Sequence, residues 1–289
     1  MQIAVGIASA GRPQMLREVL GEIGKQSRLP DGLIVCVPGP EDAPQCPQER
    51  PIPEIIFGPR GLTRQRNEIL RHAAAFDIMV FFDDDFVPER SYLAEVEDVF
   101  TRHADVALVT GLVIADGILG PGLDIGAARS LLAADRTAAA DQLDDVLNGY
   151  GCNMAIRLAP VLAHGYSFDE RLPLYGWLED LDFSRQLAGC GRIVKMAAAR
   201  GVHLGVKGGR QSGRRLGYSQ IANPLYLVRK GTCPWRTAAR LISRNLAANC
   251  VRSFRPEPYI DRVGRVVGNL MAVCDLVGGR LDPQRILKM

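Results

Sequence analysis

Three carboxylates stand side by side at Asp83, Asp84 and Asp85, directly after the apolar run Ile78-Met79-Val80-Phe81-Phe82. A run of that length and character reads as a buried strand. Three adjacent acids repel one another and suit neither strand nor core. A strand that ends this way pushes its charges out at the carboxyl edge of a sheet, where open α/β sheets bind ligands. A divalent cation would relieve the repulsion. Hard oxygen donors suit magnesium or manganese, usually shared with the phosphates of a substrate. The plainer alternative is a solvated acidic turn.

A second acidic group lies at Glu179, Asp180 and Asp182, at the start of a predicted helix over 179–187. Carboxylates in a first helical turn favour the macrodipole, so capping accounts for part of the pattern. The segment also follows Tyr175-Gly176-Trp177, and a carboxylate held beside rings and glycines can act as a general base. A metal-bound diphosphate at one acidic group and a base at the other are the parts needed to displace a nucleotide leaving group. His203 falls just beyond a predicted last strand at 193–198, where a lone histidine is a ligand or a packed residue. Lys207, Arg210, Arg214 and Arg215 are interleaved with glycines and could close over a diphosphate as a lid, or form a solvated loop.

The elements that must hold these groups alternate. Strands are predicted over 3–8, 33–37, 54–57 and 77–82, with a helix opening at Pro13 and another over 64–75. That order argues a mostly parallel sheet covered by helices. A helix over 90–103, a strand over 106–114 and strand character over 149–157 follow, with a helix-prone stretch at 127–147 between them. Phe86-Val87-Pro88 reads as the end of the acidic strand, and 205–217 as a flexible loop. The remainder reads as helical, with one apolar stripe at Leu241, Ile242 and Leu246 and another at Ile260, Val263, Val267, Leu270, Met271 and Cys274.

The chain has 289 residues and a net charge of only +3, but the charge is lopsided. Residues 1–199 hold 18 Lys+Arg against 28 Asp+Glu, and residues 200–289 hold 17 against 4. An anionic partner is expected for the last third. Arg229, Lys230, Trp235, Arg236, Arg240, Arg244, Arg252 and Arg255 flank an apolar stripe, the pattern of a helix lying on an anionic membrane. A helix packed on the rest of the domain with a basic outer face is the alternative. No nucleic-acid motif accompanies the charge. Seven widely spaced cysteines without a C-x-x-C pair argue against a zinc site or disulfide framework and for a reducing compartment. Neither a signal peptide nor a membrane-spanning run is expected.

Taken in order, the motifs resemble those of family-2 glycosyltransferases of the bacterial surface-polysaccharide type, over roughly residues 2–232. The opening strand and turn to Arg12, the helix Gly61-Leu62-Thr63-Arg64-Gln65-Arg66-Asn67, the acids 83–85, then Gly151-Cys152-Asn153-Met154-Ala155, Phe168-Asp169-Glu170 and Glu179-Asp180 are similar to that family's series. The resemblance implies an α/β GT-A fold, a Rossmann-like mixed, mostly parallel sheet flanked by helices with a C-terminal helical extension. It implies a catalytic, nucleotide-sugar-binding domain over 1–217 and a basic helical extension over 218–289. Asp180 would deprotonate the acceptor hydroxyl, with Glu179 in support. Ala8, Ser9, Arg12, Asp42, Arg66, Asn67, Asp83, Asp84, Arg210 and Arg214 would bind the nucleotide sugar. Asp83 would meet its nucleoside side, and Glu41 or Asp42 would replace the family's usual paired acids after the second strand. Asn153 and Trp177 would contact the acceptor, and Asp85 and His203 would hold Mn2+ or Mg2+.

The implied activity is inverting transfer from a nucleotide sugar, UDP-linked by preference, to a saccharide or lipid-diphosphate-linked acceptor in exopolysaccharide assembly. The implied setting is the cytoplasm, in peripheral contact with the inner face of the membrane. A sugar-nucleotide pyrophosphorylase would want a glycine-rich basic loop after the first strand, where only Gly11 and Arg12 stand. A phosphatase would want its aspartates after the first strand. A non-catalytic glycan-binding domain would not need two complete acidic groups.

Overall fold

The computed structural model describes residues 1–44, 51–135, 142–207 and 212–289. The chain opens β1 (Ile3–Ala8), α1 (Pro13–Ile23), β2 (Gly32–Val37), β3 (Glu54–Phe57), α2 (Leu62–His72) and β4 (Ile78–Asp83). Then come β5 (Phe86–Pro88), α3 (Tyr92–Arg102), β6 (Val106–Asp116), α4 (Ile125–Ala134) and β7 (Leu143–Asp145). β8 (Asn153–Arg157), α5 (Leu158–His164), α6 (Glu179–Leu187) and β9 (Arg192–His203) complete the sheet, and α7 (Gly213–Lys230), α8 (Trp235–Arg252) and α9 (Arg262–Val277) follow it.

One sheet runs β3-β2-β1-β4-β8-β6-β9-β5, with β7 paired to β9. β1 lies parallel to β2 and β4, β2 to β3, and β6 to β9. β5, β7 and β8 run antiparallel to their neighbours. Alternate residues of the central strands supply two cores. Val5, Ile7, Val80 and Phe82 pack on α1 and α3, while Ala4, Met79 and Phe81 pack on α2, α5 and α6. Burial on both faces is why these strands read as unbroken apolar runs.

Four expectations are corrected. Residues 86–88 do not end β4 but form the separate strand β5, antiparallel to β9. β9 continues past residue 198 to His203, so His203 is its last residue. The register of β6 and β9 slips between Gly111 and Leu112 and again between Val113 and Ala115, and the second slip brings His203 opposite Asp116. The small residues Ala197-Ala198-Ala199 and Gly201 hid this continuation, because strand propensity favours branched and aromatic side chains. Within 127–147, helix α4 ends at Ala134 and β7 occupies Leu143–Asp145. The flexible loop of 205–217 already becomes α7 at Gly213, where the Ser212 hydroxyl accepts from the Arg215 N–H.

The boundary expected at 217/218 therefore falls inside α7, which serves both parts of the molecule. Leu227 packs with Leu172 and Leu181, and Lys230 holds Asp169 and Asp182 at 2.7 Å each. Tyr218, Ile221 and Ala222 of α7 pack with Ala272 of α9. The two helices touch backbone to backbone through glycines: a Cβ on Gly217 would strike the Arg265 carbonyl oxygen, and one on Gly268 the Arg214 carbonyl oxygen. Gly268→Ala should accordingly force the pair apart and cost about 1–3 kcal/mol, read as a lowered denaturant midpoint. Among the described residues, no helix is long and apolar enough to cross a membrane.

Candidate active site

The site is built where β1 and β4 end side by side, with Ala8 in register with Asp83. Helix α2 fixes that edge with polar side chains turned inward. Gln65 Nε2 donates to the carbonyls of Ser9 and Cys36, both at 2.8 Å, tying the ends of β1 and β2 together. Arg66, 1% exposed, lies beneath the rings of Phe81 and Phe168. It donates to Asp83 at 2.9 Å, to Glu179 at 2.7 Å and to the Gly151 carbonyl at 2.7 Å. One guanidinium thus bridges the two acidic groups and sets them side by side at this edge of the sheet.

Each aspartate of the triplet has its own surroundings. Asp84 turns inward: the Ser9 hydroxyl donates to it at 2.5 Å, and Arg12 lies 3.2 Å away. Burial pushes its carboxyl up to about 7, against the pull of Arg12. Asp85 accepts from Arg12 at 3.2 Å and from the Val206 N–H at 2.9 Å, and faces His203 Nε2 at 3.3 Å. Burial alone would raise the Asp85 pKa, but His203, Arg12 and that N–H outweigh it and hold the carboxyl below its usual range. Asp83 is the most open of the three, and its donor atom, with those of Asp85 and His203, lies in a group all within 4.8 Å of one another.

Two carboxylates and an imidazole could hold a divalent cation, the carboxylates being the hard oxygen donors that suit manganese or magnesium. His203 is held as metal-ligating histidines usually are, one nitrogen toward the site and the other on a second carboxylate. Its Nδ1 lies 2.9 Å from Asp116, whose other oxygen accepts from the Tyr150 hydroxyl at 2.8 Å. Burial opposes a charge on His203, yet Asp116 and Asp85 prevail and push its pKa up to about 10.

On the other side of Arg66, Glu179 is buried and its Oε2 has no partner among the described residues. Burial pushes this carboxyl up to about 8, since one arginine must answer Glu179, Asp180 and Asp83 together. Asp180 is only half-buried, and accepts from the N–H groups of Gly151 at 3.1 Å and Leu181 at 2.8 Å. Burial raises its pKa against those two donors. Asp180 is the carboxylate of the pair that a ligand can reach.

These pKa shifts make a prediction about stability. Asp84, Glu179 and His203 each hold a proton more tightly folded than unfolded. Their contribution is complete below the unfolded values and is lost as pH rises through about 7, 8 and 10. The melting temperature without added metal should fall from mildly acidic to alkaline pH. Manganese competes with the His203 proton, so the stabilisation it gives should grow with pH; differential scanning fluorimetry with and without MnCl2 reads both trends.

Some expected residues stand apart from the cleft. Asn67 points away from the acids, holding the Phe168 N–H and carbonyl and Glu170. Asn153 is fully buried and accepts from the Thr110 hydroxyl at 2.9 Å. Trp177 offers its carbonyl to Asn223 of α7 at 2.8 Å. Asp42 is buried beside the β1–α1 turn, accepting from the Gly11 N–H and from Arg60. Arg214 lies in the first turn of α7 with its Nε on the Met271 sulfur, 3.2 Å away. Arg210 lies outside the described residues. Asp116 and Tyr150 were missed. Asp116 could have been found as an acid near the end of a predicted strand, but its slip-dependent pairing with His203 could not.

The model of the "Glycosyltransferase like family 2" family matches residues 1–123. No curated protein matches the chain in sequence. Solved structures resemble it over nearly its whole length. A mannosyltransferase from Pyrobaculum calidifontis, in complex with GDP-Man and Mn2+, is 16% identical with a TM-score of 0.57, over 95% of this chain and 87% of that one. Residues 1-349 of S. aureus TarS, in complex with UDP-GlcNAc, are 12% identical with a TM-score of 0.59, over 99% and 83%. GalNAc-T7 with UDP, GalNAc and Mn2+ gives 12% and 0.53, over 97% of this chain and 59% of that one. The sheet order, the acids at its carboxyl edge and these likenesses agree: the chain has the GT-A fold.

Proposed function

We propose that this chain is an inverting glycosyltransferase that moves a sugar from a nucleotide sugar, UDP-linked in our reading, to a hydroxyl of a saccharide or lipid-diphosphate-linked acceptor. The observation that carries the reading is the bridge made by Arg66, which joins Asp83 to Glu179 and sets a cation-binding group beside a carboxylate pair. The family match over residues 1–123 and the nucleotide-sugar complexes of the structural neighbours support it.

Asp83, Asp85 and His203 would hold Mn2+ or Mg2+, which when bound would stabilise negative charge on the departing diphosphate. Asp180 takes the proton of the acceptor hydroxyl. The acceptor oxygen bonds to the anomeric carbon, and the bond from that carbon to the diphosphate oxygen breaks, its electron pair leaving with the nucleotide. Burial keeps Asp180 more basic than an exposed aspartate, which suits a general base. With the base on the far side of the sugar from the nucleotide, one displacement inverts the centre. Glu179 and Arg66 hold the floor on which Asp180 stands. Ala8, Ser9 and Arg12 line the nucleotide end, and Asp42 holds the β1–α1 turn behind them through the Gly11 N–H. The role is in surface-polysaccharide assembly, with the enzyme peripheral on the cytoplasmic face of the membrane.

The test is nucleotide release from UDP-glucose, UDP-GlcNAc and GDP-mannose by the purified chain, with and without manganese. Metal-dependent UDP release from one UDP-sugar is expected. Release from none of the three, with metal present and the protein folded, would count against the proposal.

A further inference from the structure

Helix α9 carries its polarity the wrong way round for a helix bathed in water. Its polar residues face inward: Arg262, Asn269 and Asp275 are 5%, 2% and 4% exposed. Arg262 holds Glu257 and Asn249, Asn269 donates to the Gly217 carbonyl, and the Tyr218 hydroxyl donates to Asp275. The outward side presents Val263, Val267, Leu270, Val273 and Val277, which are 57%, 41%, 61%, 40% and 86% exposed. At 1.5 Å per residue this uncharged face is about 20 Å long. Phe254, 87% exposed, follows the end of α8. A surface helix normally shows the opposite arrangement, and a contiguous apolar face marks a contact site.

Charge decides what that contact is. The four acids of residues 200–289 are Glu257, Asp261, Asp275 and Asp282. Glu257 is held by Arg252 and Arg262, Asp275 by Arg285 and Asp282 by Arg171, while Asp261 caps α9. Arg236, Arg240 and Arg244 lie along one exposed side of α8, and Arg255 and Arg280 are exposed at either end of α9. A second copy would bring these cations against themselves, with the carboxylates already engaged. An anionic lipid surface answers both the apolar face and the arginines.

We infer that the outer face of α9, with Phe254, sits in the interfacial layer of an anionic bilayer while the arginines of α8 meet lipid phosphates. The inference deepens the membrane placement proposed above and rests on it. It moves the contact from the Trp235 end of α8, which the sequence favours, to α9. It also places lipid near the donor end of the cleft. Lys207 lies over the ring of Tyr259 in the α8–α9 connection, 5.3 Å from its centroid, and the preceding residue, Val206, donates to Asp85.

The test is flotation of the full chain with vesicles of phosphatidylglycerol and phosphatidylcholine in equal parts, and with phosphatidylcholine alone. The chain should float with the anionic mixture and far less with the neutral one. Val267→Asp combined with Leu270→Asp should weaken flotation about tenfold or more, with metal-dependent release of UDP unchanged. Should that pair fail to fold, Val267→Gln with Leu270→Gln carries the same expectation. Equal flotation of wild type and variant would overturn the inference. So would a dimer in sedimentation equilibrium that the variant dissociates, since that assigns the face to a second copy. A wild-type chain that releases UDP but does not float with the anionic vesicles would overturn the docking surface alone; wild-type flotation without release would remove only the transferase reading.

Discussion

Asp180→Asn should lower kcat for sugar transfer by about a hundred- to ten-thousand-fold, the usual contribution of a positioned general base. The donor KM should change little, because the substitution lies on the acceptor side of Arg66. An asparagine has one oxygen where Asp180 uses both, on the N–H groups of Gly151 and Leu181. One backbone donor therefore loses its partner, and a small drop in melting temperature accompanies the loss of rate. The pH profile separates the two effects. Burial raises the pKa of Asp180, so wild-type kcat/KM should climb with pH above the ordinary carboxylate range. That limb should vanish in the variant. A variant that keeps both the rate and the limb would remove Asp180 from the chemistry.

The second large effect is expected from Arg66→Met. The guanidinium is buried and answers Asp83, Glu179 and the Gly151 carbonyl at once. Removing it strands two carboxylates, a loss on the order of 3–5 kcal/mol. Transfer should fall below detection. Arg66→Lys should rescue stability only in part, since a single ammonium cannot reach three acceptors arranged for a fork. Adding Glu179→Gln to Arg66→Met should recover part of the lost stability, because the most buried carboxyl left without its guanidinium is then gone. Additive losses in chemical denaturation would mean that the Arg66–Glu179 contact does not matter.

These two residues also show how far the sequence could be read. The parallel half of the sheet was legible because β1, β2 and β4 are buried on both faces and advertise it as apolar runs. The acids 83–85 and 179–180 were legible because charges at strand and helix ends stand out. The inward role of α2 was harder. Its buried positions Thr63, Gln65, Arg66 and Asn67 are polar, so no apolar periodicity announces them, and Arg66 and Asn67 read as ligand contacts. A helix buried on a polar face must satisfy those groups internally, and that was the available signal. The β6–β9 slip that sets His203 on Asp116 depends on long-range pairing and leaves no local trace. The apolar stripe of α9 was legible, but not the direction it faces, which the glycine contacts with α7 and the buried Arg262, Asn269 and Asp275 settle.

The most direct measurement is a thermal-shift titration of UDP with manganese against wild type, Asp85→Ala and Asp180→Asn, run beside their rates of transfer. The account predicts that Asp85→Ala loses the metal-dependent UDP shift and the rate together, whereas Asp180→Asn keeps the shift and loses only the rate. If Asp180→Asn lost the shift as Asp85→Ala does, or if Asp85→Ala kept it, the division of this cleft into a cation side and a base side would be contradicted.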